Sequence, residues 1–153
     1  MTLPLPDPVL EQVFGQAEAE YPSECCGVLT AAPDGNDVEV YPCRNLQDRL
    51  HAEDPEQHPR DARIAYFIDP QDLYRVLTGA ERRGRRVAGF YHSHIDCDAY
   101  FSEEDRQRAM AWGEPAYPEA VYVVVSVRQR RVQGYACFAW DEAAARFAQI
   151  RPG

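Results

Sequence analysis

The chain has 153 residues, enough for one domain to bury its own core without covalent staples. With 45% hydrophobic and 27% charged residues it matches ordinary globular usage, which excludes a disordered chain. A net charge of −9 speaks against a polyanion as main partner, because nucleic-acid binding rests on clustered cations that neutralise phosphates.

Met1 to Leu10 carries prolines at 4, 6 and 8 and no basic start leading into a long apolar run, so no signal peptide is expected. Nowhere does the chain approach the roughly 18 apolar residues of a membrane span, so no membrane role is expected. Val9, Leu10, Val13, Phe14 and Ala17 recur at helical spacing and predict an amphipathic helix ending near Tyr21-Pro22. Cys25 to Ala31 reads as a small apolar strand, Pro33-Asp34-Gly35-Asn36 as a turn, and Val38 to Tyr41 as the returning strand.

Residues 46 to 60 lack an apolar period and contain Pro55 and Pro59, which predicts a long surface loop of the kind that often carries function. His51 and His58 in this segment are expected to be solvent-exposed. A short strand is expected at Ala65 to Ile68, then a helix opened by Asp69-Pro70, with Leu73, Val76, Leu77 and Ala80 on one face and Gly84 ending it. Arg82, Arg83, Arg85 and Arg86 cluster where cations suit the helix dipole, so they argue no nucleic-acid site. Val87 to His94 reads as a buried strand, Ser102 to Trp112 as a helix, and Tyr122 to Val127 with Gly134 to Trp140 as late strands. The tail, Asp141 to Ile150, is expected to cover the sheet as a short terminal element. Irregularly interleaved helices and strands predict a single α/β domain with a mixed β-sheet flanked by helices.

The chemistry concentrates in His92-Ser93-His94 with Ser102 and Asp105 downstream. On a strand, side chains alternate faces, so His92 and His94 project the same way while Ser93 points opposite. The loop from Ile95 to Phe101 can turn back and start a helix whose first turn contains Asp105. Two imidazoles and one carboxylate leave a fourth tetrahedral position for water, the arrangement of a catalytic rather than a closed structural site. Each piece also has a plainer role: Ser102-Glu103-Glu104-Asp105 fits a capping box, and Glu24 alone fits a solvated surface charge.

His92-Ser93-His94, seven residues, Ser102, two residues and Asp105 together match the metal signature of the JAMM metalloproteases, also called the MPN-plus or JAB domain family. Tyr21-Pro22-Ser23-Glu24-Cys25-Cys26-Gly27-Val28-Leu29 resembles that family's upstream block, and the likeness runs from about Tyr21 to Val127. The resemblance implies a JAB/MPN-like fold in which His92, His94 and Asp105 ligate one zinc ion with its bound water. It implies Glu24 as general base and then acid, and Ser102 as an oxyanion donor. By the same resemblance the substrate is a ubiquitin-like or sulfur-carrier protein, cut at a C-terminal Gly-Gly. Such a tail can add to a sheet edge through main-chain hydrogen bonds.

One departure stands out: the family usually has proline after the second histidine, and this chain has Ile95, which puts loop geometry and substrate fit in question more than metal binding. Two other readings stay open, a non-catalytic scaffold or binding module of the same fold, and a thiol hydrolase built on Cys25 or Cys26. Cys97 is expected to be a half-exposed loop thiol. Five cysteines, odd in number and without CxxC spacing, fit reduced thiols and a cytoplasmic address. All 16 residues of the Lys/Arg class are arginine, a bias that codon usage explains most simply. Nothing in the sequence sets an oligomeric state.

Overall fold

The computed structural model describes residues 3–150; Met1, Thr2 and 151–153, and with them the first two residues of the N-terminal reading, lie outside the described residues. A six-stranded sheet forms the centre, in the order β2-β1-β3-β6-β7-β8. Its strands are β1 (Cys26–Ala31), β2 (Glu39–Cys43), β3 (Arg86–Ile95), β6 (Val121–Arg128), β7 (Arg131–Asp141) and β8 (Arg146–Ile150). Neighbours run antiparallel except β3 and β6, which are parallel. A parallel pair needs a crossover. Here it carries α4 (Glu103–Ala109) and a small hairpin of β4 (Met110–Ala111) and β5 (Glu114–Pro115).

Alternation along the central strands builds two cores. In β6, Val121, Val123, Val125 and Val127 join Val9, Val13 and Ala17 of α1 (Asp7–Glu20), while Tyr122 and Val124 face the opposite side with Phe90 and Phe138. An unbroken apolar run is what a strand covered on both faces requires. In β3 the same alternation puts Tyr91 in the α1 core and Phe90 in the other, so His92 and His94 share Phe90's side.

The third helix, α3 (Pro70–Arg82), starts as its sequence dictates. Asp69 accepts from the Gln71 amide at 2.8 Å and Pro70 supplies a helical φ without needing a donor. Gly84, at φ +68°, takes the left-handed position just past its end.

Four local expectations are corrected. Segment 46–60 is not structureless: Gln47–Glu53 forms α2. Its anchors are polar, which is why no apolar period announced it. Gln47 is buried and donates to the Arg60 carbonyl at 2.8 Å, and Asp48 accepts from the Ala62 amide at 2.7 Å. Residues 65–68 make only an isolated bridge, Ile68 to Asn45. The helix expected to reach Trp112 stops at Ala109, because Trp112 (φ 55°) and Gly113 (φ 80°) form a two-residue hairpin turn with both residues left-handed. The tail does not cover the sheet but extends it, as edge strand β8 beside β7.

Gly89 sits opposite Val121, and a Cβ there would overlap the Val121 carbonyl oxygen, a backbone atom with nowhere to go. Gly89→Ala is therefore expected to cost roughly 1–3 kcal/mol, seen as a melting temperature lower by several degrees; an unchanged melt would contradict the tight β3–β6 contact.

Candidate metal centre

β3 delivers two imidazoles and α4 one carboxylate to a single point. His92 Nε2 and His94 Nε2 are 3.3 Å apart, and Asp105 Oδ2 stands 3.1 Å from the first and 3.2 Å from the second. Ligand atoms about 2.0–2.1 Å from a tetrahedral cation lie about 3.3 Å from one another, so the three already stand at ligand spacing. All three residues are buried, and they are the one such group of convergent ligand atoms among the described residues.

The surroundings fix each ligand. His94 Nδ1 is 3.1 Å from the Asp98 carbonyl, which can only accept, so the neutral ring carries its proton on Nδ1 and leaves the Nε2 lone pair free. His94 also meets the Tyr100 ring edge-on at 4.8 Å, and His92 stacks on Tyr66 at 4.4 Å. Asp105 is the N3 residue of α4. Ser102 Oγ accepts from the Asp105 amide at 3.0 Å, and Asp105 Oδ2 accepts from the Ser102 amide at 2.9 Å. The carboxylate that closes the capping box is also the one that converges with the two imidazoles, so the two readings of this segment are compatible.

Glu24 comes to the site on the segment that leads into β1, two residues before that strand begins beside β3. Its residue is 5% exposed, and both backbone groups are held: the amide donates to the Ala62 carbonyl at 2.7 Å and the carbonyl accepts from Asn45 Nδ2 at 2.9 Å. Ser93, on the far face of β3, accepts from the Cys25 amide at 2.7 Å, and its own amide donates to the Cys25 carbonyl at 3.1 Å. The middle residue of the His-Ser-His string therefore sets the position of the residue next to Glu24. Asn45 does the same from the other side, as it also binds the Ala65 carbonyl and the amides of Gln47 and Phe67.

Glu24, His94, Ser102 and Asp105 line one cavity of about 220 Å³, together with Cys97, Tyr66, Tyr100, Arg60, Arg63 and Arg108. His92, 1% exposed, lies behind its wall. Burial, then the neighbouring Asp105 and Glu104 carboxylates, push the Glu24 carboxyl up to about 9, against the pull of Arg108 and Arg60. A carboxyl raised this way can hold and deliver a proton, and a cation among its neighbours would favour the ionised form. Burial also acts upward on Asp105, but the adjoining His92 and His94 imidazoles and the hydrogen bond from the Ser102 amide hold it well below the usual carboxylate range. Burial lowers His92. Ionised Asp105 and neutral His92 are the forms that ligate a metal.

The remaining residues singled out in the sequence fall outside this convergence. Cys97 is half-buried and lines the cavity, but its sulfur is not among the three converging ligand atoms. His51 and His58 are half-buried rather than exposed, and His51 Nδ1 lies 2.8 Å from the His58 carbonyl, a loop contact away from the cavity lining. Cys25 and Cys26 are fully buried; burial pushes the Cys25 thiol up to about 12 and raises Cys26 further, which removes the thiol-hydrolase reading. Asn45, Ser93 and Tyr66 were not foreseen. Only Ser93 had a signal, its place between two same-facing histidines.

Because one carboxylate serves two purposes, its variants separate them. Asp105→Ala is expected to abolish metal binding and to cost about 1 kcal/mol of helix capping, whereas Ser102→Ala keeps the three ligands and loses the cap alone. Metal content with thermal unfolding in chelator checks both; undiminished metal content in Asp105→Ala would remove it from the ligand set.

Comparisons with known proteins agree with this geometry. Residues 6–142 match the Prok-JAB family model, prokaryotic homologs of the JAB domain. A desampylase from Haloferax volcanii is 32% identical over 121 residues, 78% of this chain and 74% of that protein. A CysO-cysteine peptidase from Mycobacterium tuberculosis is 28% identical over 120 residues, 78% of this chain and 70% of that protein. A solution structure of a Desulfitobacterium hafniense protein superimposes with a TM-score of 0.65 at 20% identity, covering 95% of this chain and 87% of that one, a likeness of fold. With its fold, its converging ligands and a family match over most of its length, the chain belongs to the prokaryotic JAB domain family.

Proposed function

We propose that this protein is a zinc-dependent metallopeptidase that hydrolyses peptide or isopeptide bonds at the C-terminal Gly-Gly of a ubiquitin-like or sulfur-carrier protein. The observation that carries the reading is the triangle of His92 Nε2, His94 Nε2 and Asp105 Oδ2 at 3.1–3.3 Å, beside a buried Glu24 in the same cavity wall. Relatives named for desampylase and CysO-cysteine peptidase activity support the substrate class. A scaffold of this fold would have no use for the intact ligand set, and no observation favours that reading.

Two imidazoles and a carboxylate, with a fourth position open to the cavity, suit zinc. When bound it supplies a Lewis acid and a water acidified to near pH 7. Glu24 accepts a proton from the attacking water and later gives it to the leaving amine, a double duty that suits a carboxyl held between neutral and ionised. Ser102 Oγ, engaged as acceptor by the Asp105 amide, still has its hydroxyl proton to donate to the developing oxyanion. Tyr66, Tyr100 and the cavity wall limit water around the reacting groups. Five free cysteines, four of them buried, support a reducing compartment, and we assign the protein to the cytoplasm.

Glu24→Gln is expected to keep zinc at the wild-type level and lose roughly 10²–10⁴-fold in cleavage of a carrier extended beyond Gly-Gly. Metal analysis beside a cleavage assay checks this; turnover close to wild type would take Glu24 out of the mechanism. Chelation should abolish cleavage and zinc alone should restore it, whereas thiol alkylation should leave it intact.

A further inference from the structure

The metal cavity gathers cations in a chain that is otherwise acidic. The protein carries −9 overall, yet three of its arginines, Arg60, Arg63 and Arg108, line this one small cavity. Once Asp105 is assigned to the metal and Glu24 to proton transfer, Glu104 is the one acid left in the lining. It is already shared: Arg60 reaches Glu104 Oε2 at 2.9 Å and Arg108 reaches Oε1 at 3.4 Å. Arg63 forms no ion pair among the described residues, and the buried Arg108 Nε–H has no hydrogen-bond partner. One carboxylate stands against three guanidiniums.

Two of these cations act on the reacting groups, and Arg63 shares the cavity lining with them. The Arg108 guanidinium lies over the rings of Phe67 (5.2 Å) and Tyr66 (5.9 Å), and Tyr66 in turn stacks on the ligand His92. Arg108 and Arg60 both act through space on the Glu24 carboxyl. A guanidinium fork matches a carboxylate in shape and charge better than any other anion a peptide carries. Near a scissile bond, a peptide offers a main-chain carboxylate in one circumstance, when the chain ends just beyond it. An amine leaving from an internal lysine brings no such group. The cavity volume of about 220 Å³ falls below the roughly 300 Å³ at which pockets for drug-sized ligands begin, which is room for a very short leaving segment.

We propose that Arg63, backed by Arg60 and Arg108, binds the free α-carboxylate of the residue that follows Gly-Gly, so that the enzyme selects carriers bearing a short linear extension over lysine-linked conjugates. This inference rests on the peptidase reading and names the substrate class within it. Hydrolysis adds one water across the scissile amide, leaving the carrier's glycine carboxylate and a free amino acid, whose own carboxylate Arg63 has held throughout.

The test uses a ubiquitin-fold sulfur carrier prepared in three forms: ending Gly-Gly-Ala as the free acid, ending Gly-Gly-Ala as the carboxamide, and joined through Gly-Gly to the ε-amine of a peptide lysine blocked at both ends. Zinc-loaded wild type is expected to favour the acid over the amide by about 10- to 100-fold in kcat/KM, chiefly through KM. Arg63→Ala should bring that ratio to about one, and Arg63→Lys should restore part of it, with zinc content and melting temperature as in wild type. Equal use of acid and amide by wild type, or a preference that survives Arg63→Ala, would overturn the assignment. Cleavage of none of the three forms would sink the peptidase reading instead. Binding to zinc-loaded Glu24→Gln then decides the carboxylate site by itself: tighter binding of the acid sustains it, and no difference between acid and amide removes it.

Discussion

The site depends on the register of β3 between its two neighbours. His92 and His94 can point together at one spot only because Ser93 faces away, and Ser93 is locked there by paired hydrogen bonds to the Cys25 backbone. A slip of one residue would turn both imidazoles into the α1 core and the serine into the metal cavity. The slip is opposed along the whole strand, by Tyr91 and Phe90 in their separate cores and by the close approach of Gly89 to Val121. Core packing and ligand geometry are therefore the same constraint read on opposite faces of one strand.

The second dependence is electrostatic. Bringing Asp105, Glu24 and two imidazoles together under cover is unfavourable without compensation, since buried charges need partners. The chain compensates locally: Asp105 takes a hydrogen bond from the Ser102 amide and faces both rings, while the charges of Arg60 and Arg108 act through space on Glu24. Glu24 still ends far above an ordinary carboxylate, which leaves a proton held next to three ligand atoms. Titratable groups raised this way by burial and like charges cluster at functional sites.

Around that centre, support comes from residues with no chemistry of their own. Asn45 uses its side-chain amide on four backbone groups, tying the segment before β1 to α2 and to the irregular stretch at 65–67. Tyr66 joins the metal side of the cavity to its cationic wall, stacking on His92 and lying beneath Arg108. Such supports decide how precisely a site is held, and their loss is felt at the ligands they orient.

How much of this was legible follows from the range of the interactions involved. Periodicity marked α1, α3, β3 and β6, since each buries an apolar face or an apolar run that is written in consecutive residues. The ligand trio was legible because alternation along β3 and the capping box of α4 are local rules. Glu24 was legible through the resemblance of its block and not through its own surroundings. What escaped had no apolar period to announce it: α2 rests on polar bonds to Arg60 and Ala62, and the hairpin after Ala109 on the left-handed backbone of Trp112 and Gly113. By itself the sequence determined which strand carries the imidazoles, which helix turn carries the carboxylate and which face they share. Only the tertiary structure decided that Oδ2 of Asp105 closes the cap and also meets both imidazoles, that Ser93 and Asn45 fix the backbone around Glu24, and that Arg108 of α4 joins Arg60 and Arg63 at one cavity, because each is a meeting of groups that the chain order keeps apart.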